Sequence, residues 1–541
     1  MVGAVFALWA AVALVLVVAW PRLATASAWR STALLLILGL SLAYQLLFDT
    51  IAEDAFITFR YAANIAEGHG PVFNVGEPVE GYSNFLLMVT LAGLRAGFGV
   101  DIVVGARVLG VLCTLGCVLA AYFLVRRLTS RPQAGVLAAA LTAAASSLAV
   151  YGPSGLETSL FAFLLLGVLL AVCYEHWVMA GLLVALAVMT RPDGLVVAAV
   201  IGLWLLLRAI RGAASWWKLT AFVLGALVLA LPWTAWRVTF YGHLVPNTLA
   251  AKNGGEFDWQ VQQGWEYVTS YVIAFPALLA LAVGGVVLLI RRRALLDPDA
   301  AAQLALLGAL CATFGTFVVL VGGDWMPAWR LLAPIGPLLA SLAAAGLALV
   351  SIPDSSLLRA RVAPALVAAA CAASIAVSVS HDGMLAAVRE WRAQVTELGA
   401  IGSWLNSTLP SGTVISTFAN GSLSYYAGTK LPVVDQLGLT DEHIARDGKR
   451  RLAGVVGHMA YDYEYIVDTR RPSVVVTSGN GYGTTKSCGI SQAFRGNYVE
   501  ATFRVNGTKN WVSLYLRASE ASELTASLAA DSRFRPASCA S

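Results

Sequence analysis

The sequence predicts an α-helical polytopic membrane protein, with about twelve transmembrane helices over residues 1–380 and a soluble α/β domain over residues 381–541. Three observations carry this expectation. Of 541 residues, 58% are hydrophobic and 12% charged, about half the charge of an ordinary soluble domain. The mean hydropathy is +0.73. The apolar residues are gathered into long runs, and those runs stop near residue 380.

Crossing the hydrocarbon core takes about 20 apolar residues. Runs of that order occupy 2–20, 31–48, 103–125, 134–150, 158–174, 193–209, 217–236, 268–290, 301–321, 330–350 and 361–380, with a shorter one at 176–190. The first run has no preceding cation and no small-residue cleavage site, so it reads as a retained helix rather than a signal peptide. The segment 84–98 is placed by charge. If it lies flat at the interface, then Arg22, Arg30, Arg126, Arg127, Arg131, Arg208, Arg211, Lys218, Arg291 to Arg293, Arg359 and Arg361 all fall on one face. Short basic loops mark the cytoplasmic side. The opposite, outer face then receives the loops 49–102 and 237–267, the turns 151–157, 191–193 and 322–329, and the C-terminal region.

From residue 384 to 405 apolar positions recur at helical spacing. Strand-type runs follow at 413–416, 431–435, 473–477, 498–505 and 511–517, separated by turn signals such as Gly479-Asn480-Gly481. A small α/β domain follows from this alternation. Five of the seven cysteines sit in apolar runs and read as small buried side chains. Cys488 and Cys539 lie in the polar C-terminal region, where an oxidising compartment would permit a disulfide. The net charge of +5 is too small to suggest nucleic acid.

The chemistry concentrates in 49–84. Glu53 and Asp54 follow a membrane span, where a partly desolvated carboxylate can take a proton from a sugar hydroxyl; the simpler reading is an acidic first turn of a helix over 54–66. Arg60 follows, then Gly68-His69-Gly70-Pro71-Val72-Phe73-Asn74 and Gly76-Glu77-Pro78-Val79-Glu80, leading to Tyr82 and Asn84. Further along stand Ser154-Gly155-Leu156-Glu157, Arg191-Pro192-Asp193 and Tyr241-Gly242-His243-Leu244-Val245-Pro246-Asn247 with Lys252. Gly323-Asp324-Trp325 with Arg330, and Asp435-Gln436-Leu437-Gly438, complete the series.

In this order the motifs resemble the GT-C glycosyltransferases that use polyprenyl-phosphate sugars, and most closely the mycobacterial terminal β-(1→2)-arabinofuranosyltransferase family. The resemblance implies a GT-C fold and transfer of a sugar, with arabinofuranose the first expectation and mannose or another hexose the second. The donor would be a polyprenyl-phosphate sugar and the acceptor an envelope glycan or glycolipid, at the outer face of a bacterial plasma membrane. Asp54 matches the catalytic base of the family, and Glu53 stands where the family has Asp. Lys252, Arg330, Arg191 and Arg60 are the candidates for the donor phosphate, since guanidinium forks match phosphate oxygens, although each could instead snorkel to the interface. Arg237 shares that face. Glu80, Tyr82, Asn84, Glu157, Tyr241, His243, Asn247, Asp324, Asp435 and Gln436 are the candidates for sugar hydroxyls and rings. No cofactor is required; a divalent cation is compatible with these residues but unsupported by them. A lipid-sugar flippase is the rival reading, set back by the scarcity of mid-span charge.

Overall fold

The computed structural model describes residues 1–349, 361–380, 384–477, 482–483, 494 and 496–537. Cys488, Cys539 and the turn at 479–481 lie outside the described residues. Cys113, Cys117, Cys173, Cys311 and Cys371 are free thiols.

The chain folds as two compact units, each assembled from three stretches. The first comprises Met1–Thr50, Ala106–Trp236 and Phe257–Val388; the second comprises Ile51–Gly105, Arg237–Glu256 and Arg389–Ser541.

The first unit is helical and carries the membrane spans. Among the described residues, six helical segments are long and apolar enough to cross a bilayer: Ser27–Leu47, Ile102–Thr129, Trp216–Tyr241, Pro298–Leu320, Arg330–Ala348 and one within Val362–Thr408. Shorter apolar helices include Val2–Val18, Thr158–Cys173, Trp177–Thr190 and Gly194–Ile210. The chain is therefore a multi-pass membrane protein. Two expected spans are broken. The run 268–290 bends by 91° between Phe257–Ala274 and Pro276–Arg291, because Pro276 offers no N–H and pushes Phe275 out of the helical region. The run 134–150 divides into Pro132–Ala143 and Ser146–Tyr151. Small residues bring the helices together. A Cβ on Gly181 would collide with the backbone of Phe222, and one on Gly346 with Gly285. Inside, Tyr44 and Ser374 both bond Ser146, a polar tie across three helices.

The second unit is a mixed sheet with helices. Its strands are β1 (Ile415–Thr417), β2 (Val433–Asp435), β5 (Val474–Val476), β6 (Tyr482–Gly483), β7 (Tyr498–Val505), β8 (Trp511–Arg517) and β9 (Phe534–Ala537). A separate two-stranded ribbon pairs β3 (Lys449–Arg450) with β4 (Ala460–Tyr461). The sheet runs β2-β1-β5-β8-β7-β9, with β6 alongside β8. β1 pairs in parallel with β2 and β5, and the remaining pairs are antiparallel. The parallel strands are buried throughout, which is why they read as continuous apolar runs. Trp404, on the helix expected over 384–405 and found at Met384–Thr408, lies edge-on to Phe534 at 6.3 Å between ring centres. Ala251 joins Val434, Ile444, Ala460 and Ile466 in one apolar cluster, so the stretch 237–256 is anchored by the same core.

Candidate functional site

In the second unit the acid pair lies on the turn preceding helix Ala55–Ala66. Glu53 is buried, and its Oε1 accepts from the N–H groups of Gly421 at 2.7 Å and Ser422 at 2.9 Å. A Cβ on Gly421 would collide with the carbonyl oxygen of Glu53, so only glycine permits this approach. Burial, reinforced by the neighbouring Asp54, pushes the Glu53 carboxyl up to about 8, against the pull of the two N–H bonds. Asp54 is half-buried; it occupies the N-cap position, but its side chain does not cap the helix. The two acids thus differ in setting: Glu53 is buried and pinned by two amides, while Asp54 is half-buried.

Arg60 is fully buried within a cage of acceptors. Its Nε donates to the Phe73 carbonyl at 2.9 Å, its Nη1 to those of Ser424 and Gly428, and its Nη2 to Asn74 Oδ1 and the Leu431 carbonyl. Five acceptors match the five N–H groups of a guanidinium, which leaves none for a phosphate. Arg60 is therefore withdrawn from the expected donor-phosphate ligands: it clamps 51–105 to the 424–431 segment. Asn74 makes a similar tie, donating to the Val433 carbonyl and accepting from its N–H, both at 2.9 Å.

Asp435 and Gln436 also depart from expectation. Asp435 is fully buried, accepting from the N–H groups of Leu437 and Thr440 at 2.9 and 3.0 Å, and burial raises its carboxyl to about 6. It closes the turn after β2. Gln436 Nε2 donates to Ser416 Oγ and to the Val476 carbonyl, bridging β1 and β5. Asp435 thus caps the turn after β2 and Gln436 Nε2 ties two strands, commitments that take these groups away from a sugar.

Of the remaining candidates of this unit, all but Lys252 lie on or near the segment 78–84. Glu80 Oε1 lies 3.6 Å from Arg237 Nε. Burial raises the Glu80 carboxyl to about 7, with Arg237 and Arg446 opposing the shift. The hydroxyls of Tyr82 and Tyr241 are 3.0 Å apart, and Tyr241 donates to the Pro71 carbonyl. Asn84 Oδ1 accepts from Thr58. His243 Nε2 meets Glu442 Oε1 at 2.6 Å on the surface. Asn247 Nδ2 reaches the carbonyls of Gly438, Leu439 and Asp441. Lys252 is exposed at the end of helix Asn247–Lys252, its stem passing Gly457.

The first unit holds the other four candidates in two clusters. Buried Arg191 bonds Asp193 Oδ1 through Nε and Glu157 Oε1 through Nη1, both at 2.9 Å. This triad joins the starts of helices Thr158–Cys173 and Gly194–Ile210. Arg330 Nε bonds Asp324 Oδ2 at 2.6 Å, on a turn in which Ala328 and Trp329 both take left-handed φ, 62° and 50°. Non-glycine residues in that region store strain that surrounding contacts must hold; here Trp329 Nε1 bonds Ser270, and its ring packs on Tyr271 and Phe275.

Sequence reasoning quoted Asn74 within its motif without giving it a role, and did not reach Gly421, Ser422, Glu442 or Arg446. Only the four-residue spacing of Glu442 and Arg446 offered a local signal. Among the described residues, no group of three or more His, Cys, Asp or Glu is placed to hold a metal ion.

Residues 386–515 match a family model described as a domain of unknown function, DUF8728. Two curated relatives are terminal β-(1→2)-arabinofuranosyltransferases. The one from Mycobacterium tuberculosis is 28% identical over 346 residues, covering 56% of this chain and 53% of the relative. The one from Corynebacterium glutamicum is 28% identical over 338 residues, covering 53% and 46%. The chain thus spans about half the length of the curated relatives it matches. In structure it is similar to ArnT from Cupriavidus metallidurans. The crystal structure bound to undecaprenyl phosphate aligns over 92% of this chain and 99% of that one, with a TM-score of 0.56 and 14% identity. The apo structure gives a TM-score of 0.55. The chain has the ArnT-like GT-C fold, and its sequence is similar to the terminal β-(1→2)-arabinofuranosyltransferases, the family whose motifs it resembles.

Proposed function

We propose that the protein is a glycosyltransferase that moves a sugar, arabinofuranose foremost, from a polyprenyl-phosphate donor to an envelope glycan or glycolipid on the outer face of the membrane. The observation that carries this reading is the division of the acid pair. Asp54 is accessible, while Glu53 beside it is immobilised by the amides of Gly421 and Ser422. A base must meet the proton it removes, and Asp54 is the member of the pair that can do so. The acceptor O–H gives its proton to Asp54 as its oxygen bonds the anomeric carbon. The bond from that carbon to the phosphate oxygen breaks, and polyprenyl phosphate leaves with the electron pair. Lys252 is the cation proposed to stabilise phosphate charge; Arg330, paired with Asp324, and Arg191, with two carboxylates on it, are the separate candidates of the first unit. No cofactor is invoked. The fold of ArnT and the similarity to arabinofuranosyltransferases support this assignment.

The test is transfer by purified protein from a panel of polyprenyl-phosphoryl sugars to lipid-linked acceptor oligosaccharides. Asp54→Asn is expected to lose transfer by about 10²–10⁴-fold, the usual worth of a general base, while Glu53→Gln loses far less because its amide oxygen still accepts from Gly421 and Ser422. Transfer that survives Asp54→Asn would remove the base from this position. Donor binding without transfer from any donor would favour the flippase.

A further inference from the structure

In the first unit, the bent pair divides into helix Phe257–Ala274, of 18 residues, and helix Pro276–Arg291, of 16, at 91° to each other. Laid end to end they would run about 50 Å, against a hydrocarbon core of about 30 Å. The second arm alone covers about 24 Å. It ends in the basic run Arg291-Arg292-Arg293 and exposes apolar Val283, Val287 and Ile290, so it is the crossing arm. The first arm, at a right angle to it, then runs along the membrane plane, at the face opposite those arginines.

The first arm has three faces. Phe257, Val261, Trp265, Val268 and Val272 recur at helical spacing as an apolar stripe, and Phe257 and Trp265 are each 64% exposed. Asp258, Gln262, Glu266 and Ser270 make an exposed polar stripe beside it, where Gln262 and Gln263 both bond the Glu266 carboxylate. The third face, Gln260, Gly264, Tyr267 and Tyr271, packs on protein. A Cβ on Gly264 would collide with the Val319 carbonyl, and Gln260 donates to the Leu320 carbonyl at 3.1 Å. Tyr267 packs against Gly323, its hydroxyl accepting from the Leu331 N–H at 3.3 Å. The rings of Tyr271 and Trp329 are 5.9 Å apart between centres.

We propose that Phe257–Ala274 is an interfacial helix, its apolar stripe seated among the acyl chains of one leaflet and its polar stripe in water. The occupant is lipid because the arm it continues into is itself a span, with apolar side chains turned outward. Ile273, exposed on the polar side, stands where the chain turns into that span. The helix contains no Lys or Arg, so its seating rests on apolar insertion and not on anionic headgroups. Its protein face grips both ends of the 322–331 turn, in which Ala328 and Trp329 take left-handed φ. The membrane thereby helps to position the Asp324–Arg330 pair.

A scan of single cysteine substitutions from Phe257 to Val268, each spin-labelled in the full chain in phosphatidylcholine nanodiscs, tests the seating. Collision with oxygen, which concentrates in lipid, is compared with collision with a water-soluble nickel chelate, after subtraction of the signal from the unsubstituted chain. The oxygen-to-nickel ratio should rise and fall with a period of about 3.6 residues, high at Phe257, Val261, Trp265 and Val268 and low at Asp258, Gln262 and Glu266. Neither salt nor added phosphatidylglycerol should move it. A flat profile, or a water-like ratio at Trp265, would overturn the proposal. Protection of Val261 and Trp265 from both reagents would put a protein on the stripe and overturn it equally. Because the reading is shared by the whole scan, one variant that fails to fold does not decide it. A label introduced by Trp325→Cys reads the turn: Trp265→Asp should raise its mobility, and Gln262→Asp, on the polar stripe, should not. Equal effects from the two, or none from either, would remove the membrane from the positioning of Asp324 and Arg330.

Discussion

Glu53 and Asp54 differ by one methylene and stand next to each other, yet one is fixed by two amides and buried while the other is accessible. Their titration should follow. The Glu53 carboxyl is raised from 4.5 to about 8, so between those values the folded chain holds a proton that the unfolded chain releases. Its contribution to stability is full below the ordinary carboxylate range and is lost as pH rises through about 8. Glu80, raised to about 7, acts in the same direction. The midpoint of thermal unfolding should therefore fall between about pH 5 and 9, and Glu53→Gln should flatten that slope. Parallel slopes in variant and wild type would show that Glu53 is not the group titrating. The acids themselves were legible in the sequence, through their place after a span and the motif around them. Their different settings were not, because Gly421 and Ser422 lie 368 and 369 residues away and no local pattern marks an amide as a partner.

At the level of elements, the strands at 498–505 and 511–517 were visible to the residue, since each is long and rich in β-branched and aromatic side chains. β9 was hidden by Pro536, which argues against a strand unless it lies at an edge; β9 is the edge, pairing with β7 alone. The bend before Pro276 escaped because hydropathy averages across a break that a single missing N–H creates. The opposite edge of the sheet is guarded differently. β2 would expose the N–H and carbonyl of Val433, and the side chain of Asn74 satisfies both, standing in for one residue of a further strand. Exposed edges invite unwanted pairing. Asn74→Ala should leave two backbone groups unmet and cost about 1–3 kcal/mol each in the limit of full burial. Amide exchange at Val433 should quicken selectively, and unchanged protection there would refute the capping role.

For the whole molecule, composition alone established a membrane protein, and the motif order pointed to the fold. What remained unread was the interleaving: the second unit takes 51–105 and 237–256 out of the middle of a membrane chain and packs them with 389–541. Arg60, Glu77 and Asn247 each find partners in that last stretch. Removing residues 389–541 should therefore expose 51–105 and 237–256 to limited proteolysis and abolish transfer, even where the truncated chain still inserts. Protease resistance of both stretches in the truncated chain would contradict this. The same ties carry a consequence for biosynthesis. Chains emerge from the ribosome N-terminal first, at about 5–20 residues per second, so Glu53 reaches its side of the membrane long before Gly421 has been made. Until then Glu53 lacks these two amide donors. A nascent chain, or one that stalls short of its last third, carries the acid pair but not the two amides that pin Glu53.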